Sequence, residues 1–411
     1  MRLGCAALWW CAARALLLEP GPRCPPPRGG GRRRSCESVC ADAALPRHAN
    51  LGVRGELPPC VHHVVADADY ETLAAALAAE TRLPAAYIQE LADLGAIYFA
   101  PAHADLPRGL RRLTRARDLR RAAPMKSYCR VHQNPRRRFE ALAVDWPGTV
   151  LAETDDFLVV HKPGGVAMQA GVDNQVENVV FQLQRALRRK QLWVVGRLDA
   201  STTGACVLAK SAAAAARLNK AWADSEKTYV CLTQTPVRLG RLEHAFKKGE
   251  KAHRNSKPTL LRLPDDALDA AVWKRAALDV LSCAAVQVDA AALAGVSGND
   301  GPYYEVAVRL VTGRTHQIRL QLSAENAPLV GDTRYGPAAG LLDDDDAAHG
   351  DGSSLLGPQA DRVALHCRAV DFGAGAEAAG LPPTVACPDP WWRRATPGAQ
   401  RVVNASYSYK K

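Results

Sequence analysis

Residues 195–210, Val-Gly-Arg-Leu-Asp-Ala-Ser-Thr-Thr-Gly-Ala-Cys-Val-Leu-Ala-Lys, place one carboxylate, Asp199, in a small polar turn that runs straight into an apolar segment. A short apolar run such as Ala205 to Ala209, entered from a turn containing glycine, reads as a buried strand. Asp199 is therefore expected in a turn that leads into a strand. A second segment, residues 311–322, carries Arg314, His316, Gln317 and Arg319 on one short element. One acid with several fixed cations points to a negatively charged substrate.

The chain has 411 residues, 47% apolar and 23% charged, the balance of a soluble globular protein with room for two or three domains. Its 53 Lys and Arg against 42 Asp and Glu give +11, which favours a polyanionic partner, nucleic acid first. The rival reading assigns part of that surplus to a leader and tails. No run of about 18 uncharged apolar residues exists, so no membrane is expected for the mature protein. Residues 1–45 read as a targeting leader or disordered segment, with no acid before Glu19 and much Arg, Ala and Cys. The expected destination is an organelle, plastid ahead of mitochondrion. The 12 cysteines form no disulfide framework. Cys36, Cys40, Cys60, His62 and His63 are zinc-ligand types, but they lack a close second pair in low-complexity sequence, so no metal is expected.

Residues 60–140 are expected to form a small accessory module. It has a helical pattern at Tyr70–Glu80, a second helix opened by Pro84 and closed by Gly95, and then a short strand. This arrangement is similar to the small RNA-binding unit preceding the catalytic domain of many RNA-modifying enzymes; a plain packing module is the alternative. Arginines recur from Arg108 to Arg138, interleaved with Tyr128 and His132. Such a stripe suits phosphate binding, with a solvated linker face as its rival. A new domain is expected over 150–372. Its readable elements are strands at Phe157–Val160, Ala205–Ala209, Thr228–Leu232, Tyr304–Leu310 and Val363–Phe372, and helices at Val179–Arg188 and Ala212–Ala223. Mixing of this kind implies an α+β core. Residues 262–300 and 339–357 read as insertions with mobile loops, and 373–411 as a C-terminal extension.

Four segments in order resemble the RluA-type family of pseudouridine synthases: Val159-Val-His-Lys-Pro-Gly-Gly-Val166, Gly196-Arg-Leu-Asp-Ala-Ser-Thr-Thr-Gly204, Lys227-Thr-Tyr229, and Thr312-Gly-Arg-Thr-His-Gln-Ile-Arg319 followed by Pro328-Leu-Val-Gly-Asp332 and Tyr335-Gly336. The overall arrangement is also similar to the plant and algal organelle branch. The resemblance implies an α+β catalytic fold with a mixed, mainly antiparallel sheet flanked by helices and loops. It further implies isomerisation of uridine to pseudouridine in structured RNA, tRNA or rRNA, by a single aspartate without cofactor. Carried over position by position, Asp199 is the catalytic acid, Arg319 its paired arginine and Tyr229 the tyrosine against the uracil. Arg197 fills the vacancy left by a flipped uridine. Lys227 and Arg314 join the substrate-binding set, as do Thr203 and Gly204, which shape the turn, and His316 and Gln317, which order the site. Lys162 is a phosphate contact or a loop cation.

This chain departs from the family at Gly196, where histidine is usual, at Thr203, where serine is usual, and at Ala200 and Ser201, which are often charged. Two other classes compete. A non-catalytic RNA-assembly factor would not need Asp199, Tyr229 and Arg319 together, and a hydrolase would need a second carboxylate to activate water. No heptad run or second apolar face argues for an obligate protein partner, so a monomer is the default.

Overall fold

The computed structural model describes residues 60–101, 113–247, 260–262, 273–288, 301–336, 362–373 and 380–393, with positions 293, 296 and 376. The expected leader, the loop at 339–357, Cys36 and Cys40, and Arg108, Arg111 and Arg112 lie outside them. The chain divides into two compact units. One consists of residues up to Arg137 together with Gly171–Val176; the other consists of Arg138–Ala170 and the chain from Glu177 on.

In the first unit, β1 (Val61–Val65) is followed by α1 (Leu73–Thr81) and α2 (Ala85–Leu94), then β2 (Ile97–Ala100), β3 (Thr114–Arg115) and β4 (Tyr128–His132). Thr72 caps α1 by accepting from Ala75 N at 3.1 Å, and α2 closes at Gly95 in the left-handed conformation. The antiparallel sheet runs β1-β4-β2-β3. Alternation turns Val64, Ile97, Phe99, Cys129 and Val131 toward Leu73, Leu77, Ile88 and Leu91 of the helices. Each such side chain, fully buried, contributes roughly 1.5–3 kcal/mol.

The helices and β2 follow the sequence pattern, but β4 lies inside the arginine stripe and breaks it up. Arg115 donates to Gly95 O at 2.6 Å, and Arg137 is buried against Glu90 at 2.6 Å. Arg120, Arg121 and Arg136 are exposed. Tyr128, interleaved with the stripe in sequence, is buried. The Gly171–Val176 segment belongs to this unit because Gln175 N donates to Leu94 O at 2.7 Å and Tyr98 Oη to Val172 O at 2.8 Å.

The second unit contains α3 (Glu140–Ala143), β5 (Val150–Glu153), β6 (Phe157–Lys162), α4 (Val179–Ala186), β7 (Trp193–Val195), β8 (Thr203–Ala209) and α5 (Ala212–Asp224). It continues with β9 (Glu226–Thr233), β10 (Gly240–Lys247), β11 (Leu260–Arg262), β12 (Trp273–Ala285), β13 (Tyr304–Leu310), α6 (Gln317–Ala324), β14 (Leu365–Asp371) and β15 (Thr384–Ala386). The sheet order is β11-β10-β12-β13-β9-β14-β8-β6-β5, with β7 beside β8 and β15 beside β14. It is mixed and mainly antiparallel, as the resemblance implies; β8 and β14 run parallel. All seven residues of β8 are buried, the reason its sequence lacks alternation.

Two expectations change here. Residues 262–300 are not loop throughout: β12 pairs with β10 on one side and β13 on the other. Its Ala-rich composition hides a strand, since Ala276, Ala277, Leu278 and Val280 are buried by neighbours rather than by bulky side chains of their own. The extension after 372 is also partly core, because β15 pairs with β14 and Trp392 is wholly buried.

His366 on β14 is fully buried, with Nδ1 2.8 Å from Thr203 Oγ1 and its ring edge-on to His161. Burial, helped by neighbouring His161, pushes its pKa down to about 3. The unfolded imidazole titrates near about 6.5, so the folded chain refuses a proton that the unfolded chain accepts. Its contribution to stability is full above that value and is lost as pH falls toward 3. Urea midpoints between about pH 4 and 7 should therefore depend less on pH in His366→Gln than in wild type; equal dependence would contradict this assignment.

Candidate active site

Asp199 sits in the turn between β7 and β8, its side chain 32% exposed. Thr202 N donates to Asp199 O at 3.1 Å, closing the turn. The strongest external hold is Lys162 at the end of β6. Its Nζ, completely buried, donates at 2.8 Å to each of Pro163 O, Ala200 O and Thr202 O. Three carbonyl acceptors match the three protons of an ammonium group. Burial pushes Lys162 down to about 7, but only the charged form satisfies all three oxygens. Lys162 is thus an internal strut and neither of the two roles expected of it.

Arg319, buried on α6, forks onto Asp332: Nε to Oδ2 at 2.6 Å and Nη2 to Oδ1 at 2.7 Å. This corrects the expected direct pairing with Asp199. Arg319 reaches the turn through Nη1, 3.4 Å from Ser201 Oγ, and is close enough to feel the charge of Asp199. Asp332, absent from the expected site residues, is wholly buried and also accepts from the backbone of Arg334 and Tyr335. Its place in the Pro328–Asp332 motif is the signal that could have found it.

His316 begins α6 in the left-handed conformation, φ 55°. That twist brings Nε2 to 3.8 Å from Asp199 Oδ1 while Nδ1 lies 3.0 Å from Tyr335 Oη. Burial holds His316 below the ordinary imidazole range, against the pull of Asp199, which favours a neutral ring. Tyr229 is buried on β9 opposite Cys367. Burial, the Cys367 thiol and Asp199 keep its phenol neutral, its pKa well above the usual tyrosine value. A neutral phenol can donate a proton or stack. Among the described residues the site therefore presents one accessible carboxylate beside neutral hydrogen-bonding rings, suited to attack on an electrophilic carbon or removal of a proton.

The expected substrate contacts separate into two groups. Arg197 and Arg314 are exposed beside the turn and the start of α6, and Arg314 Nε donates to Arg275 O at 3.3 Å. Gln317 is buried: Oε1 accepts from Thr312 Oγ1 and Arg314 N, and Nε2 donates to Ala277 O, so it ties the loop to β12. Thr203 is buried against His366. Gly204 (φ 115°) is required by its neighbour, since a Cβ there would lie 2.3 Å from Cys367 O. Lys227 donates to Trp222 O at 2.7 Å and Ser225 O at 2.8 Å, closing the C-terminal end of α5. These four hold the scaffold. Motif position marks them, but their partners lie too far along the chain for spacing to show.

Replacing Lys162 with Met should leave buried carbonyl oxygens without a donor. The expected cost is about 3 kcal/mol of unfolding free energy, read from urea denaturation. An unchanged midpoint would show that the three bonds do not carry the turn.

Residues 156–324 match the family model described as RNA pseudouridylate synthase. The chain is 28% identical over 357 residues to RNA pseudouridine synthase 6, chloroplastic, of Oryza sativa subsp. japonica, covering 74% of this chain and 73% of that protein. It is 27% identical over 324 residues to the Arabidopsis thaliana protein of the same name, covering 69% and 67%. It is 28% identical over 235 residues to ribosomal large subunit pseudouridine synthase D of Vibrio vulnificus, covering 56% of this chain and 64% of that one.

Proposed function

Since this chain belongs to the RluA-type family of RNA pseudouridine synthases and is an isomerase of uridine in RNA, we propose that Asp199 is its single catalytic carboxylate, acting on a structured RNA of the plastid. The observation that carries the assignment is the different standing of the two acids. Asp199 is partly exposed and has no hydrogen-bonded cation among the described residues, whereas Asp332 is buried and fully engaged by Arg319 and two backbone N–H groups. A hydrolase would need the second acid free to activate water. An isomerase needs one, to break the bond between sugar and base and rejoin the captive base through carbon.

In this reading, uridine leaves its stack and presents its sugar to Asp199, with Arg197 occupying the space vacated in the RNA. Tyr229 lies against the base, and Arg314 binds phosphate. Arg319, itself paired with Asp332, acts on Asp199 from behind Ser201. His316, neutral, orients the carboxylate. No cofactor is required, because the reaction is redox-neutral and its atoms balance within the nucleotide.

The small unit serves as an RNA-binding accessory through Arg120, Arg121 and Arg136. The names of the plant relatives support a plastid location, and that of the bacterial relative supports ribosomal RNA ahead of tRNA. The protein acts as a monomer.

Asp199→Asn keeps the shape and removes the charge. It should abolish pseudouridine formation in plastid ribosomal and transfer RNA, mapped at base resolution, and leave RNA affinity within a few-fold. Turnover near wild type would exclude Asp199 as catalyst. Converting Arg120, Arg121 and Arg136 to Ala should flatten the salt dependence of RNA binding, by about 0.7–0.9 in log–log slope for each phosphate that is no longer neutralised. An unchanged slope would remove this surface from the RNA interface.

A further inference from the structure

The turn carrying Arg197 and Asp199 has two ends, and Lys162 holds only one of them, through the carbonyls of residues 200 and 202. The other end begins at Gly196, where the backbone leaves β7 with φ 68°. A Cβ at Gly196 would lie 2.0 Å from Cε2, 2.3 Å from Nε1 and 2.4 Å from Cζ2 of Trp222. The backbone of residue 196 therefore rests directly on the indole, in space that any other residue's side chain would fill. Only glycine suits both the conformation and the contact.

Trp222 is itself firmly placed. It lies in the last turn of α5, and its carbonyl accepts from Lys227 Nζ at 2.7 Å and Ser225 Oγ at 2.9 Å. The same Lys227 ammonium lies 5.4 Å from the ring centroid, and Phe372 packs at 6.2 Å between centroids. Lys227 and Tyr229 are two residues apart on β9 and project to the same face. A physical chain thus runs from the first residue of the turn, through the indole and Lys227, to the strand that carries Tyr229.

We propose that Trp222 is a positioning residue for the isomerisation: its flat indole sets the height and direction at which the turn delivers Arg197 and Asp199 opposite Tyr229. This rests on the reading of Asp199 as catalyst. It also gives a physical reason for the glycine at 196. The contact requires a planar surface, because a backbone lying flat on a ring gains dispersion contacts that a branched aliphatic side chain of similar volume cannot provide.

The test compares Trp222→Phe, Trp222→Leu and Trp222→Ala by single-turnover pseudouridine formation at saturating RNA, by RNA affinity, and by hydrogen exchange of the peptide spanning residues 196–202. The expected result for Trp222→Ala is a rate lower by roughly 10- to 100-fold, affinity within about threefold, and faster exchange in that peptide. Trp222→Phe should recover most of the rate and protection, and Trp222→Leu should not. Rescue by Leu equal to that by Phe, or wild-type rate and protection in Trp222→Ala, would overturn the proposal. Should Trp222→Ala not fold, the comparison of Phe with Leu decides. A wild-type protein that forms no pseudouridine would overturn the catalytic reading alone, and the exchange of the turn peptide would still decide whether Trp222 positions it.

Discussion

The site depends on a buried ammonium group. Lys162 lies at the end of a core strand with three carbonyl oxygens around its Nζ, two of them from the turn that bears Asp199. A loop of small polar residues has few ways of holding a shape, because its side chains bury little and its backbone groups find partners in water. Three charge-assisted bonds from one buried cation solve this, since breaking any one of them strands a polar group away from solvent. The cost of burying the charge is borne by the sheet, whose packed strands β6 and β8 surround the wholly buried side chain with core residues.

A buried ion pair does different work. The bidentate Arg319–Asp332 contact fixes the direction of α6 and uses up one of the two carboxylates in the neighbourhood. What remains among the described residues is a single accessible acid, with the paired Arg319 behind the turn and the neutral rings of His316 and Tyr229 alongside. This division of labour distinguishes chemistry that keeps both fragments captive from chemistry that delivers water.

Much of the catalytic unit is legible in the sequence because its strands and helices carry strong local patterns. Tyr304–Leu310 alternates, Ala205–Ala209 is a continuous apolar run, and Ser211 announces α5 as its N-cap. β12 is not legible, because alanine has little strand preference and its burial comes from both neighbouring strands. The motifs single out Lys227, Thr203, Gly204 and Gln317, but their roles are set by partners that meet only in the fold. Gln317, for example, reads as a substrate contact on a short element until Ala277 is seen to accept its amide. Motif position puts Arg319 in the right neighbourhood and beside the wrong acid. Asp332 is thirteen residues away in sequence, and the chain reversal after α6 brings it onto the guanidinium.

The most direct measurement is the single-turnover rate of pseudouridine formation in Lys162→Met, at saturating RNA and at a temperature where the variant remains folded. If Lys162 holds the turn that aims Asp199, the rate falls by about a hundredfold or more while RNA affinity stays close to wild type. A folded variant that isomerises uridine at the wild-type rate would contradict the account, because the turn would then hold its catalytic shape without the strut.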